Sequence, residues 1–417
     1  MTRPLLVIFL TIFVNLVGFG IIIPLLPFYA ETFGASPLAI GLLFAIYSLC
    51  QLVASPLLGD LSDTHGRRPV LIFSLLGTVV SFVMMATAHS LAMLFAARII
   101  DGLSGGNIST ARAYVADVTE PKDRARAYGL IGAAFGMGFI LGPALSGVLA
   151  AYSYTAPVWA AAGLTLVATL MAWFWLPETV HRAAAGTGMP FRNLAEMLRR
   201  PGLRRILWID FIYWFAFAVF QTTFALFVAR RFGFGVSQTG YFFAGFGVLG
   251  AVVQGGAIRP VVHRLGDKPT FVLGLACAAV GLVGATYAHT LTLFTVALVP
   301  LALGMGFGHP TVAALVSRAG RADEQGRVQG AAGAMESLGR TMGPVWGNAA
   351  LARFGEGTPY LSAAACLLLT LALSLSYRVA DPDPTALVGS GSRTTVPSAS
   401  GVPGSVMSMK PIAPPSA

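Results

Sequence analysis

Stretches of about twenty apolar residues recur along the chain from Leu5 onward, with short polar segments between them. Each stretch is long enough to cross a hydrocarbon layer about 30 Å thick as an α-helix. The pattern predicts twelve membrane spans, at residues 4–29, 38–58, 69–88, 91–116, 125–151, 155–176, 205–229, 236–258, 270–288, 291–317, 328–352 and 359–377.

Charged residues make up only 11% of the chain, against about 25% in soluble proteins, which excludes the soluble classes. The Lys and Arg residues that give the chain its net charge of +10 are unevenly distributed between the two sides of the predicted bilayer. On one side of the predicted bilayer the Lys and Arg residues are Arg230, Arg231 and Arg353, and in the interior of spans, away from their ends, they are Arg98, Arg112 and Arg340. All others fall on the side that holds the N-terminus. The positive-inside rule therefore predicts a multi-pass protein of the cell (inner) membrane with both termini cytoplasmic, and nucleic acid is not expected as a partner.

The second half of the sequence repeats the first. "GRRP" at residues 66–69 matches "GDKP" at residues 266–269 after a shift of 200 positions, and the Gly-Pro pair at 142–143 matches the pair at 343–344. A repeat of six spans predicts an all-α membrane protein with two pseudo-symmetric six-helix bundles. We expect bundles at 1–177 and 205–378, a cytoplasmic interdomain linker at 178–204 and a disordered, Pro- and Ser-rich cytoplasmic tail at 379–417.

Ionisable residues inside the fourth span share one helix face. Arg98, Asp101 and Arg112 fall within a narrow sector at 100° per residue, and Asn107 flanks it. A charge inside a bilayer is costly unless it faces a partner or a water-filled cavity. Asp101 is therefore either part of a structural ion pair that fixes helix packing or a carboxylate whose protonation controls a gate.

Two further carboxylates are candidates for proton coupling. Glu336 and Arg340 are spaced i, i+4 in the eleventh span, which predicts an ion pair. Protonation of Glu336 would release Arg340 to another partner, although a static pair is the alternative. Asp210 lies in the seventh span.

The helix face that holds Asp210 continues as an aromatic stripe through Trp214, Phe217, Gln221 and Phe224. An apolar wall with a few polar groups suits an amphipathic organic ligand. Lipid contact or core packing is the alternative for these aromatic residues.

Three signatures resemble those of the major facilitator superfamily. "GDLSDTHGRRP" at residues 59–69 resembles its loop signature between the second and third spans, and "RIIDGLSGGN" at 98–107 its fourth-span signature. "GFILGPALSG" at 138–147 resembles the fifth-span motif of antiporters, through Gly138, Gly142, Pro143 and Gly147. "VNLVGFGIIIPLLP" at 14–27 resembles the tetracycline-efflux-like branch of the drug:proton antiporters.

The resemblance implies a fold and a mechanism. It implies a cytoplasmic gate in which the loop latches the two bundles together when the cavity opens outward, with residues Gly59, Asp63, Gly66, Arg67, Arg68 and Asp117. Tetracycline exporters usually have an aspartate where Asn15 stands, so Asn15 is a candidate for the substrate cavity, as is Asn107.

The sequence thus predicts a secondary transporter that exports an amphipathic, drug-like compound, tetracycline-like by resemblance, in exchange for protons. Its expected partners are that small organic compound, protons and membrane lipid, with no obligatory protein partner. The proton gradient drives transport without a cofactor or metal. One alternative is a metabolite or sugar transporter of the same superfamily, proton-coupled or not, and another is a non-transporting receptor or scaffold. No catalytic constellation that would indicate an enzyme is visible.

Overall fold

The computed structural model describes residues 3–120, 123–179, 190–320 and 324–376, which form helices joined by short turns and contain no strand. The helices are α1 (Arg3–Glu31), α2 (Pro37–His65), α3 (Arg67–Ala86), α4 (Leu91–Ser104), α5 (Ile108–Val118), α6 (Arg124–Leu149), α7 (Ala156–Trp175), α8 (Pro190–Arg199), α9 (Pro201–Phe232), α10 (Val236–Val252), α11 (Ile258–Leu265), α12 (Asp267–Tyr287), α13 (Leu291–Ala319), α14 (Gln325–Phe354) and α15 (Thr358–Leu375).

Within these ranges, ten helices are long and apolar enough to cross a membrane. The α10–α11 pair counts as one of them. Two further passes complete the predicted twelve. One is α14, which is long enough to cross but rich in Gly and polar residues, and the other is the α4–α5 pair. The chain is an all-α membrane protein, and its described residues are consistent with twelve transmembrane passes.

Two passes are broken, which the sequence did not predict. A 3₁₀ turn at Gly105–Asn107 separates α4 from α5, and a π turn at Val253–Ala257 separates α10 from α11. At the first break, a Cβ on Gly106 would lie 2.7 Å from the backbone nitrogen of Ser55. Gln51 Nε2 donates to the Gly105 carbonyl at 2.9 Å. Close packing on α2 and a side-chain donor for the freed carbonyl together stabilise the irregular turn.

Helices pack mainly within their own half of the chain. In the first half, α1 packs against α6 and α7, and α3 packs against α4 and α7. In the second half, α9 packs against α14 and α15, and α12 packs against α13 and α15. The two halves meet chiefly where α2 crosses α14 and where α6 crosses α10.

Both crossings are close backbone contacts at glycine. A Cβ on Gly41 would lie 2.5 Å from the Pro344 carbonyl oxygen, and one on Gly240 would lie 2.5 Å from the Pro143 carbonyl oxygen. A Cβ on Gly147 would lie 2.9 Å from the Ser237 carbonyl oxygen. We call these two crossings the glycine seams. They lie on the side opposite to the α2–α3 connection, so the halves are closed against each other there.

The antiporter motif on α6 serves two contacts. A Cβ on Gly138 would lie 2.6 Å from Leu16 Cβ, and one on Gly142 would lie 2.7 Å from Gly20 Cα, so both glycines seat α6 on α1 within the first half. Pro143 and Gly147 contribute instead to a glycine seam. Small residues permit such close helix approach.

The predicted linker contains a helix that the sequence did not reveal. α8 occupies Pro190–Arg199, and α9 begins at Pro201 instead of the predicted residue 205. Arg200 pairs with Glu324 at 2.6 Å, and Arg327 pairs with Glu196, so α8 is held against the second half. Residues 180–189 of the linker lie outside the described ranges. So does the tail at 377–417, whose disorder stays a prediction.

Candidate transport site and gate

The fourth pass holds a buried ion pair. Arg98 is fully buried and its Nη1 lies 2.7 Å from Asp101 Oδ2, one helical turn away. Arg98 Nε donates to the Leu43 carbonyl at 3.3 Å, and the guanidinium lies 4.2 Å from the centroid of the Tyr47 ring. The pair therefore links α4 to α2.

Arg112 does not share this site, although the sequence predicted one continuous face. Arg112 is exposed on α5, beyond the 3₁₀ turn that interrupts the helical period. The break changes the rotation of α5 relative to α4, so the sector calculated at 100° per residue does not hold across it.

The second half contributes an ion pair at the interface between the halves. As the spacing predicts, Glu336 and Arg340 pair on α14, at 3.6 Å. The Arg340 guanidinium also lies 5.5 Å from the centroid of the Phe19 ring on α1. Arg340 interacts electrostatically with Arg98 and Tyr47. The two candidate carboxylates thus belong to ion pairs that face each other across the interface.

Asp210 belongs to an aromatic group on α9. Asp210 is 4% exposed and accepts a hydrogen bond from the side chain of Trp214. The Trp214 ring stands edge-on to Phe217, with centroids 5.6 Å apart, and edge-on to His309 of α13, at 4.9 Å. The sequence reasoning missed His309, whose only signal was a histidine inside an apolar span.

The rest of the predicted stripe does not line this site. Phe224 is 2% exposed and packs against Phe220 and Phe243 in the core of the second half, with centroids 5.5 and 4.6 Å away. The prediction of Phe224 as a cavity residue is therefore wrong in this conformation. Gln221 is half-buried on the same helix.

The two asparagines lie together in a space too small for an organic substrate. Asn15 Nδ2 lies 3.4 Å from Asn107 Oδ1. Both line a cavity of about 10 Å³ between α1 and α5, which is about the volume one water molecule needs. The structure therefore groups Asn15 and Asn107 but does not place them in a substrate-sized cavity.

The loop between α2 and α3 forms a charged network inside the first half. Arg67 pairs with Asp63 and, at 3.2 Å, with Asp117 of α5. Arg68 donates to the Trp173 carbonyl at 2.5 Å. Within the described residues, the ion pairs and hydrogen bonds of Asp63, Arg67 and Arg68 all stay in this half. The loop is thus not engaged with the other half while the glycine seams are closed.

Glu178 completes the network and was not predicted. Its carboxylate accepts hydrogen bonds from the backbone N–H groups of Arg67, at 2.9 Å, and Arg68, at 3.2 Å, at the N-terminus of α3. A negative charge stabilises the positive end of a helix. Gly66 has φ 102° and a Cβ there would collide with this carboxylate, so the position requires glycine. Gly59 has no such constraint, since a Cβ there would lie 4.0 Å from Ser109 Oγ.

Known proteins similar to this chain are transporters and resistance proteins. A tetracycline resistance protein, class C, of Escherichia coli is 35% identical over 352 residues, covering 82% of this chain and 88% of that protein. Major facilitator superfamily domain-containing protein 10 of Bos taurus is 29% identical, covering 89% and 92%. The crystal structure of the human organic anion transporter MFSD10 (TETRAN) has a TM-score of 0.70 and 26% identity, covering 89% of this chain and 99% of that one.

The family comparison agrees with the all-α, multi-pass membrane fold. The family model of the Major Facilitator Superfamily matches residues 8–344 and 258–411. These ranges cover most of the chain, including both ion pairs, the loop network and the glycine seams. This multi-pass membrane protein belongs to the major facilitator superfamily of transporters.

Proposed function

We propose that the protein is a proton-coupled antiporter that exports an amphipathic organic compound from the cytoplasm by alternating access. The observation that carries this proposal is the buried Arg98–Asp101 pair, which faces Arg340 of the other half. The resemblance to tetracycline resistance proteins supports a drug-like substrate. By the positive-inside rule, the side with the α2–α3 loop is cytoplasmic. The proposal therefore has the protein in the inner membrane with both termini in the cytoplasm.

Protonation of Asp101 changes the electrostatic field at the interface. With Asp101 ionised, the pair is close to neutral and Arg340 approaches it without net repulsion. When Asp101 takes a proton, Arg98 loses its charged partner at 2.7 Å and carries an uncompensated charge that faces Arg340, whose own contact with Glu336 is longer, at 3.6 Å. Repulsion between like charges then favours separation of the halves at this level, so proton binding biases one conformation over the other.

The glycine seams and the loop network are the two gates of this scheme. In this scheme the closed seams correspond to a state in which the site opens toward the cytoplasm. In the outward-open state the seams separate and the loop at residues 59–69 contacts the second half. Asp63 then lies near the positive N-terminal end of a helix in that half.

A second candidate function is proton-independent exchange of a metabolite. The observation that favours it is Asn15, which faces another amide, Asn107, where tetracycline exporters usually carry a carboxylate. This candidate predicts flux of a labelled compound without movement of protons.

The test is proton flux in liposomes that contain the purified protein and an internal pH dye. A panel of amphipathic compounds, tetracycline included, is added under an imposed pH gradient. We expect a saturable proton movement that depends on the compound and is lost in Asp101→Asn. Glu336→Gln is the matched variant, since it removes the other candidate carboxylate.

The outcomes separate the two candidates. Coupled flux that survives in Asp101→Asn would assign coupling elsewhere. Compound flux without proton movement in the unmodified protein would favour exchange. If Asp101→Asn does not fold, Asp101→Glu retains the charge and tests whether coupling depends on its position.

A further inference from the structure

The end of the eighth pass that carries α11 makes few contacts with the other helices. α11 contains no buried residue, and beyond Phe243 the pass buries only Val253. A Cβ on Gly255 or Gly256, in the π turn, would meet nothing within 4 Å. The residues of α11 therefore present much of their surface to the surroundings instead of to another helix.

The length of this pass places α11 at the level of the lipid headgroups. α10, the π turn and α11 together comprise 30 residues, from Val236 to Leu265, which is about 45 Å of helix. The hydrocarbon layer is about 30 Å thick and takes about 20 residues. Counted from Val236, which begins the pass after the α9–α10 turn, the hydrocarbon layer ends near the π turn. α11 then lies in the polar interface, on the side that the positive-inside rule makes cytoplasmic.

Basic side chains cover one side of α11. Arg259, His263 and Arg264 are exposed, and at 100° per residue they span a sector of about 140°. None of them forms an ion pair within the described ranges of the chain. In the eighth and ninth passes the sequence holds one carboxylate, that of Asp267, and it already pairs with Arg318 at 2.6 Å. The described contacts therefore leave the positive charge of the two α11 arginines uncompensated.

The equivalent end of the second pass has a different charge pattern. After the shift of 200 positions, His263 corresponds to Asp63. In the first half Arg67 pairs with Asp63 and with Asp117, so acidic and basic side chains neutralise each other there. The uncompensated charge on α11 is thus a property of the second half and not of the repeated turn.

An exposed apolar surface lies next to these charges, on the hydrocarbon side of the π turn. Val248 and Val252 are one helical turn apart on α10, and they are 49% and 63% exposed. Cations at headgroup depth followed by an apolar surface match a molecule that has an anionic head and acyl chains. A soluble anion would use only the first of these features.

We propose that Arg259, His263 and Arg264 form a binding site for the phosphate headgroup of an anionic phospholipid, whose acyl chains lie along α10 at Val248 and Val252. Guanidinium groups suit this role because their planar donors match two phosphate oxygens at once. The site belongs to the second half alone, and binding there does not depend on the proposed antiport.

The test counts lipid molecules bound to the full-length protein. Purified protein in detergent is titrated with dioleoyl phosphatidylglycerol, which is anionic, or with dioleoyl phosphatidylcholine, which carries the same phosphate and chains but no net charge. Native mass spectrometry resolves the bound molecules and gives the affinity of the first one. We expect phosphatidylglycerol to bind about tenfold more tightly, because each cation near the headgroup level adds to the attraction.

Double variants locate the site. Arg259→Gln with Arg264→Gln is expected to weaken phosphatidylglycerol binding about tenfold, and the corresponding double change to lysine much less, since lysine keeps the charge. The matched control is Arg199→Gln with Arg204→Gln, which removes the same charge from exposed arginines of α8 and α9. We expect this control to change the affinity by less than about twofold. All four arginines are exposed, so size-exclusion profiles should not change.

Two competitors distinguish a lipid from other anions. Glycerophosphoglycerol, which is the headgroup without acyl chains, and hexaglutamate, which represents an acidic protein segment, are each added at a tenfold excess over the lipid. We expect neither to displace phosphatidylglycerol. Displacement by the first would assign the site to soluble phosphates, and displacement by the second to an acidic protein, and either result would overturn the lipid site. So would equal binding of the two lipids, or equal losses in the α11 variant and its control.

Discussion

The loops that follow the second and eighth passes have the same architecture with opposite charges. In the first half, Arg67 at the start of α3 pairs with Asp117 at 3.2 Å. In the second half, Asp267 at the start of α12 pairs with Arg318 at 2.6 Å. The two pairs occupy equivalent positions in the repeat. The acid and the base have exchanged places, yet each pair joins the same two elements of its half.

The neighbouring contacts follow the same correspondence. Arg68 donates to the Trp173 carbonyl, and Lys268 donates to the Leu375 carbonyl at 3.1 Å. The glycine before each helix has positive φ, 102° at Gly66 and 85° at Gly266. The two halves of the repeat thus share the turn and the position of the ion pair. The acidic and the basic residue of that pair, however, have exchanged places.

The membrane interior differs more than the loops do. The positions equivalent to Arg98 and Asp101 are Val299 and Ala302, so the buried ion pair has no counterpart in the second half. Glu178 also lacks a described counterpart, because the equivalent residues lie outside the described ranges. The asymmetry is thus greatest where coupling is proposed.

The largest effect on stability is expected from the buried pair. Arg98→Gln leaves Asp101 buried without its cation, which costs about 3 kcal/mol or more. The matched control is Arg340→Gln, in which a half-exposed arginine is removed and about 1 kcal/mol is expected. Thermal unfolding of the purified variants compares the two. A smaller loss in Arg98→Gln than in Arg340→Gln would contradict the structural importance of the pair.

An intermediate effect is expected from the paired glycines. Alanine at Gly266 adopts an unfavourable positive φ, which costs about 1 kcal/mol, and its Cβ meets nothing closer than 3.9 Å. Gly66→Ala has the same strain and also displaces Glu178 from the start of α3, which adds about 1–2 kcal/mol. The difference between their free energies of unfolding measures the Glu178 contact. Equal losses would mean that Glu178 contributes nothing there.

The smallest effect is expected from exchange of the charges in the second loop. Asp267→Arg alone places two cations together and destabilises the loop. The double variant Asp267→Arg with Arg318→Asp recreates the charge order of the first half and should recover the loss to within about 1 kcal/mol, because the pair is partly exposed. A double-mutant cycle gives the coupling energy. Additive losses would show that the equivalent positions do not tolerate exchange.

Contacts between residues close in sequence were predictable. Helical spacing alone brings Glu336 to Arg340 and Arg98 to Asp101, and runs of apolar residues predict the passes. The rotation of each helix was not predictable in the same way, because lipid-facing and buried faces of a membrane helix are both apolar. The burial of Phe224, the contact of Trp214 with His309 and the small cavity at Asn15 all depend on that rotation. So does Glu178, whose contacts are distant in sequence.

The absence of side chains at the glycine seams lowers the free-energy cost of opening and closing them. Glycine has no side-chain rotamers, so closing the seams at Gly41, Gly147 and Gly240 freezes no side-chain motion at these positions. Opening them in turn exposes little apolar side-chain area to water. Both the entropic and the hydrophobic cost of separating the halves at these positions are therefore low, so a small difference in free energy elsewhere in the molecule is enough to decide whether the seams are open or closed.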